Sequence, residues 1–452
     1  MTPISLDEHR QRRGHLLRKM APGTLAIVPG ALPARRNGDV DYPFRQDSDF
    51  WYLTGFGESG ATLVLRRGKD GDEGDAAILF CQERDAKDEL YNGERLGPGR
   101  AAEALGLDSA YPASALDERL LPLLGAASAI HCALGEDAAF DQRLSGWLAQ
   151  ARAQRLRPNG EVRALKPLLH ELRLFKSAAE VELMRRAAAI TVEGHLRAMR
   201  HCAPGGREAD LEAELLYAFL RGGARSTAYP PIVAAGANAC VLHYTANTAT
   251  LNAEDLVLID AGCEVEHYAA DLTRTFPVSG RFSPAQAALY EIVLEAQRQA
   301  IAACQPGAAF EAADEVALKV MVEGLERLGI DPSPVVDGAA EEADAANGDA
   351  DGKGAQRPAL CPHRTSHWLG LDVHDCSAAQ SGEEPRTLAP GMALTVEPGI
   401  YIPPQQKAVA AKWRGIGVRI EDDVLITADG PEVLTEGAPK DITEIERIMA
   451  GG

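Results

Sequence analysis

Four carboxylates and one imidazole in this chain stand within or at the ends of apolar, strand-like runs, where a lone charge is a liability. Asp260 ends Leu256-Val257-Leu258-Ile259-Asp260, and Glu397 sits in Leu394-Thr395-Val396-Glu397-Pro398-Gly399. Glu421 closes Gly417-Val418-Arg419-Ile420-Glu421, and Asp271 and His367 complete the set. An ionised carboxylate buried without a partner costs several kcal/mol or takes up a proton instead. Any fold that buries these runs therefore needs a common counter-charge.

Composition narrows the setting. At 452 residues the chain is too long for one ordinary core, so two domains are expected. A formal charge of −20 argues against nucleic acid, whose phosphates need a basic face. Met1 to Arg13 is polar and charged, without the apolar core of a secretion signal. No run approaches the roughly 18 apolar residues of a membrane span. Eight cysteines are scattered without a CxxC pair, which reads as reduced thiols in a cytoplasmic protein. Cys263 and Cys376, near the acidic cluster in sequence, read as packing residues.

Residues 1–173 mix short apolar runs with helical spacing. Leu25–Val28, Ala61–Leu65 and Ala76–Phe80 read as buried strands, and Ala113–Leu124 and Ala138–Arg152 as helices. Alternation of the two predicts an α/β N-terminal domain. The stretch Tyr42 to Tyr52 concentrates aromatics in a chain with only 5% of them, so it is assigned to the domain core and a turn, or to a contact face. Lys166–Arg200 reads as one long helical segment, with the domain boundary near 173. Further helices are expected at Glu208–Gly222, Pro284–Cys304 and Glu311–Leu328. Asp337–Gln356 has six acids against Lys353 alone and no aromatic, so it reads as a flexible surface insertion.

Two strand pairs carry the acids. Strands 256–261 and 267–276 form a predicted hairpin with Asp260 and Asp271 opposite each other on one face, and Thr273 shares that face. Glu397 and Glu421 repeat the arrangement in the second half. Carboxylates with one imidazole suit Mn²⁺, Co²⁺ or Zn²⁺, and a two-metal site can clamp and deprotonate a water. That combination is the signature of a di-metal hydrolase. Of 11 histidines, His363, His367 and His374 fall within twelve residues, and His243 lies in Leu242-His243-Tyr244-Thr245. Imidazole can hold a metal or stabilise an oxyanion. Competing motifs fail: His170-Glu171 lacks the second histidine of HExxH, Gly415-Ile416-Gly417 is no dinucleotide fingerprint, and no G-x-S-x-G exists.

These pieces resemble the pita-bread metallopeptidases, and among them the aminopeptidase P family. The matching segments are Tyr42–Trp51, Leu242–Thr245, Asp260–Gly262, Asp271–Phe276, Ser366–Asp375, Val396–Gly399 and Gly415–Asp422. The resemblance implies an α/β N-terminal domain over 1–173 and an α+β pita-bread catalytic domain over 174–452, interrupted by the insertion at 337–356. It implies two divalent metal ions, manganese first and cobalt or zinc as alternatives, on Asp260, Asp271, His367, Glu397 and Glu421. Glu397 would also take the proton of the attacking water, and His243 and His374 would steady the oxyanion. His363 would line the pocket, with Arg419 and Tyr401 orienting the groups around it.

The implied substrates are peptides with proline at the second position, and the implied assembly is a homo-oligomer, dimer or tetramer. Two features depart from the pattern: the insertion itself, and Tyr91 where some relatives carry a tryptophan near a neighbouring subunit's site. The alternative closest in chemistry is prolidase, restricted to Xaa-Pro dipeptides. A metal-free interaction module and a creatinase-like hydrolase fit less well, because every ligand position is filled here.

Overall fold

The computed structural model describes residues 4–69, 73–333, 357–376, 380–381 and 384–451. The acidic segment 337–356 lies outside the described residues. The chain divides into two compact units, Met1–Arg173 and Leu174–Gly452.

The first unit is built on a mixed six-stranded sheet. Its order is Ser109–Pro112, Ala76–Cys81, Thr62–Arg66, Leu25–Pro29, Ile130–Cys132 and Val162–Ala164. The inner strands are apolar on consecutive residues because both faces of a covered sheet are buried. Helices Leu116–Ala126 and Ala138–Ala153 set Leu120, Leu124, Phe140, Leu144 and Trp147 against Ile27, Val64, Phe80 and Ile130. Those helical residues recur three or four apart, the spacing that puts a single stripe on the core. Within the aromatic stretch, Asp47 caps helix Ser48–Thr54 by accepting the Phe50 N–H at 2.8 Å. Phe50 and Tyr52 are buried, whereas Tyr42 and Phe44 are exposed.

The long helix expected over Lys166–Arg200 is two helices, Lys166–Arg173 and Ala178–His201. The break follows from a capping box: Ser177 Oγ accepts the Glu180 N–H at 3.2 Å while Glu180 Oε2 accepts that of Ser177 at 2.9 Å. A reciprocal cap of this kind starts a helix and does not continue one.

In the second unit, helix Ala178–His201 packs on Glu208–Gly222, and Pro284–Ala303 on Ala312–Arg327. One three-stranded sheet orders Ile232–Ala235, Leu256–Asp260 and Thr273–Pro277; another orders Ala393–Val396, Asp422–Thr427 and Gly430–Val433. Gly399–Ile402 pairs with Ile416–Arg419 as a separate ribbon. Paired helices and antiparallel strand groups give the α+β pita-bread architecture. Among the described residues no helix is long and apolar enough to cross a membrane.

The register of the first strand pair differs from the hairpin expected. Asp260 pairs with Thr273, and Asp271 precedes its strand. The reason is a small inserted hairpin, Cys263–Val265 with Tyr268–Ala269, which pairs instead with Ser226–Thr227. In the second half, Val396 pairs with Asp422 in one sheet and Gly399 with Arg419 in the next. Glu397 and Glu421 fall in the gap between those two ladders, where the strands change partners and side chains can leave the sheet plane.

Candidate active site

Turn chemistry brings the first two acids together. The backbone of Gly262 passes so close to Ala270 that an added Cβ would lie 1.7 Å from the Ala270 oxygen. The Asp271 N–H points at both oxygens of Asp423, each 3.2 Å away. Asp260 and Asp271 then share the hydroxyl of Tyr229, which stands 2.6 Å from Asp260 Oδ1 and in shorter contact with Asp271.

The other three side chains close on the same point. His367 is placed by the strand beside it, its N–H reaching Thr395 Oγ1 at 3.2 Å and its oxygen accepting the Thr395 N–H at 2.9 Å. Its Nδ1 faces the Trp368 oxygen at 3.0 Å, which can only accept, so Nε2 is the nitrogen left for the cleft. Nε2 lies 3.4 Å from both Asp271 Oδ2 and Glu397 Oε1. Glu421 takes the Thr273 hydroxyl on Oε2 at 2.7 Å, while its Oε1 is buried with no hydrogen-bond partner among the described residues. One ligand-type atom each from Asp271, His367 and Glu421 lies within 4.8 Å of the others.

The buried acids also act strongly on one another. Burial, and then the charges of Asp271, Glu397 and Asp260, push Glu421 well above the usual carboxylate range. Burial likewise raises Glu397, against the charges of His367 and Arg419, and Asp260, against that of Arg419. For His367 burial works against the proton, yet its bond to Asp271 and the charges of Glu397 and Asp271 lift it to about 9. Proton uptake is how a carboxylate cluster compensates for missing positive charge. An orphaned, buried Glu421 oxygen in one cavity with three other carboxylates and one imidazole nitrogen fits divalent cations of the manganese–zinc class.

A second chain of groups lies alongside. Arg419 donates from Nη2 to Asp260 Oδ2 at 2.6 Å, from Nη1 to the Tyr401 hydroxyl at 2.8 Å, and from Nε to Thr273 Oγ1 at 3.2 Å. The Tyr401 hydroxyl donates a hydrogen bond to His363 Nε2 at 2.8 Å, because His363 Nδ1 is committed to the Arg364 oxygen at 2.8 Å. Burial, and then the Arg419 charge, bring His363 down to about 3, so the ring is neutral and the direction of the chain is set.

All five proposed ligands line one cavity of about 580 Å³. His243, His363, His374 and Arg419 line it too, with Ile232, Leu242 and Val373 supplying apolar wall. Tyr401 lies behind that wall, buried. The His374 ring meets the His367 ring edge-on, centroids 4.5 Å apart. Two residues outside the sequence reading belong to this site, Tyr229 between the aspartates and Asp423 behind Asp271, and Thr273 joins them by its bond to Glu421. Thr273 was legible as a neighbour of Asp271 by alternation. Asp423 stands two residues beyond Glu421, and Tyr229 before two prolines carries no sequence signal.

Comparison with known proteins decides the family. Residues 182–428 match metallopeptidase family M24, and residues 9–131 match the aminopeptidase P N-terminal domain. The chain belongs to metallopeptidase family M24. It is 42% identical to the Xaa-Pro aminopeptidase of Escherichia coli K12, over 99% of each chain. Its fold is similar to that of Pseudomonas aeruginosa aminopeptidase PepP, with a TM-score of 0.90, 47% identity, and 100% and 99% of the two chains covered. Zinc-substituted E. coli aminopeptidase P in complex with product is likewise similar, with a TM-score of 0.89, 42% identity, and 99% of each chain covered. The relatives span both units, the aminopeptidase P N-terminal domain and the pita-bread catalytic fold.

Proposed function

We propose that this M24 enzyme is a metal-dependent Xaa-Pro aminopeptidase, releasing the first residue of peptides whose second residue is proline. What carries the reading is the single cavity that gathers Asp260, Asp271, His367, Glu397 and Glu421 beside His243, His363 and His374, in a chain similar along its whole length to an Xaa-Pro aminopeptidase. Those first five side chains would hold two divalent cations, manganese in the first instance. The cations, when bound, supply Lewis acidity that lowers the pKa of a water and polarises a carbonyl. Zinc-substituted E. coli aminopeptidase P holding a product supports a relative's tolerance of another divalent ion. A cytoplasmic, homo-oligomeric enzyme completes the proposal.

The protein side chains do the rest. A peptide bond to proline has no N–H, so a peptidase cannot grip it through that donor. The substrate is fixed instead by its free amine among the carboxylates and by its carbonyl oxygen, to which His243 and His374 can donate. Glu397 takes the proton of the attacking water on its carboxylate and passes it to the proline nitrogen as the bond breaks. General acid–base work of this kind contributes about 10²–10⁴-fold. Arg419, tied to Asp260, Tyr401 and Thr273, keeps the first aspartate aimed into the cavity.

Substrate length tests the assignment against a prolidase. An open pocket beyond proline lets further residues add transition-state contacts. An Xaa-Pro-Xaa tripeptide should exceed the Xaa-Pro dipeptide in kcat/KM by at least about tenfold, roughly 1.4 kcal/mol. Faster cleavage of the dipeptide would move the enzyme to the prolidase class.

A further inference from the structure

Glu208 is fully buried, yet no cation stands among its four hydrogen-bond partners. It is the first residue of helix Glu208–Gly222, where a carboxylate is favoured by the helix dipole. Its Oε1 accepts the Ala235 N–H at 2.8 Å and Asn238 Nδ2 at 3.0 Å. Its Oε2 accepts the Tyr244 hydroxyl at 2.8 Å and the Ala249 N–H at 2.8 Å. The Glu208 N–H also donates to the Ala249 oxygen at 3.0 Å.

All four donors come from the single segment Ala235–Ala249, and its middle carries Leu242, His243 and Thr245 on the cavity wall. His243 itself is exposed, so its own packing does not fix it. The segment is pinned a second time at Asn247, a left-handed residue at φ 48°. The Asn247 side chain accepts the Val233 N–H at 3.0 Å and donates to the Pro231 oxygen at 2.9 Å. A loop 15 residues long, held at its start, middle and end by one carboxylate, has little freedom to move any part alone.

We propose that Glu208 is a positioning residue for the reaction: its carboxylate, by binding both ends and the centre of Ala235–Ala249, holds His243 at the distance from which it serves the substrate carbonyl. Glu208 never enters the cavity. Its effect passes through the loop, and a misplacement of about 1 Å at a reacting group is worth about 10²-fold in rate. The inference rests on the peptidase reading for its kinetic consequence, and on geometry alone for the loop.

Glu208→Gln tests it, since the amide keeps the shape but, whichever way it turns, sets its NH₂ against a backbone N–H that can only donate, that of Ala235 or of Ala249. In the manganese-loaded full chain acting on an Ala-Pro-Ala tripeptide, E208Q should lower kcat at least tenfold with KM changed less than about threefold. Made on a His243→Ala background, the same substitution should cost less than about twofold, because the two changes act through one group. Tyr244→Phe, which removes one donor and should leave the fold intact, should show a smaller loss of the same kind. Independently of turnover, amide exchange in E208Q should accelerate across 235–249. An equal loss of kcat with and without His243 would overturn the proposal. Unchanged exchange across 235–249 would overturn it as well, whether or not the wild-type enzyme cleaves the peptide.

Discussion

Arg419 and Asp260, far apart in sequence, meet through Nη2 and Oδ2 at 2.6 Å, and the same guanidinium holds the Tyr401 hydroxyl and Thr273. Three acceptors at three nitrogens need a planar fork, which lysine does not offer. Arg419→Lys should therefore keep the charge but release two of the three partners. A fall of about 10² in kcat/KM is expected from loosened geometry, with the metal content changed far less. Steady-state kinetics with elemental analysis of the same sample checks both parts.

Gly262 gives a backbone prediction. A methyl there would sit 1.7 Å from the Ala270 oxygen, and backbone, unlike a side chain, cannot swing aside. Gly262→Ala should separate Asp260 from Asp271, lowering stability by about 1–3 kcal/mol, the usual cost of overpacking. Divalent-metal affinity should fall with it. Isothermal titration of manganese into the metal-depleted variant would show native affinity if the close approach were unimportant.

The first unit should lose stability in mild acid. His9 is buried, and burial, followed in smaller measure by the neighbouring Arg12 and Arg13 charges, lowers it from 6.5 to about 4. Its Nδ1 faces the Tyr52 oxygen at 3.0 Å. Between pH 6.5 and 4 the unfolded chain binds a proton that the folded one refuses, so stability falls as pH drops through that window. The loss from this group is about 3 kcal/mol. His9→Gln should flatten the pH dependence of urea unfolding there. An identical slope in the variant would assign the acid sensitivity elsewhere.

Most of the site was legible because its chemistry is expensive. Asp260, Glu397 and Glu421 stand out in apolar runs for the same reason that burial pushes their carboxyl groups above the usual range in the fold. The strands and helices of the first unit were legible from apolar spacing, since the sheet and its two helices bury that pattern directly. The register at Asp260 was not. The inserted hairpin turns at Glu266 and His267, with φ 50° and 70°, so neither glycine nor asparagine marks a turn that usually asks for them. The split near 173 was written in Ser177 and Glu180, but the apolar positions on either side keep a continuous helical spacing that hides it. Tyr229 and Glu208 act through contacts far along the chain, and local pattern carries no trace of those.

Glu397 should separate metal holding from proton transfer. Glu397→Gln keeps an oxygen donor but removes the base, and turnover should drop by about 10²–10⁴-fold or more with the fold intact. Near-native turnover in this variant would mean that another group takes the proton. His367→Ala and Asp271→Ala should instead lose metal and activity together while the protein stays folded.

The central claim is that this cavity works only with divalent cations between its five ligands. Its most direct test follows hydrolysis of an Xaa-Pro-Xaa tripeptide before chelation, after chelation, and after return of manganese, with metal counted in every sample. Activity should fall at least about 10²-fold on chelation and return in proportion to metal regained, the order of effect expected when the group activating the water is removed. Full turnover in a sample shown to be metal-free would contradict it.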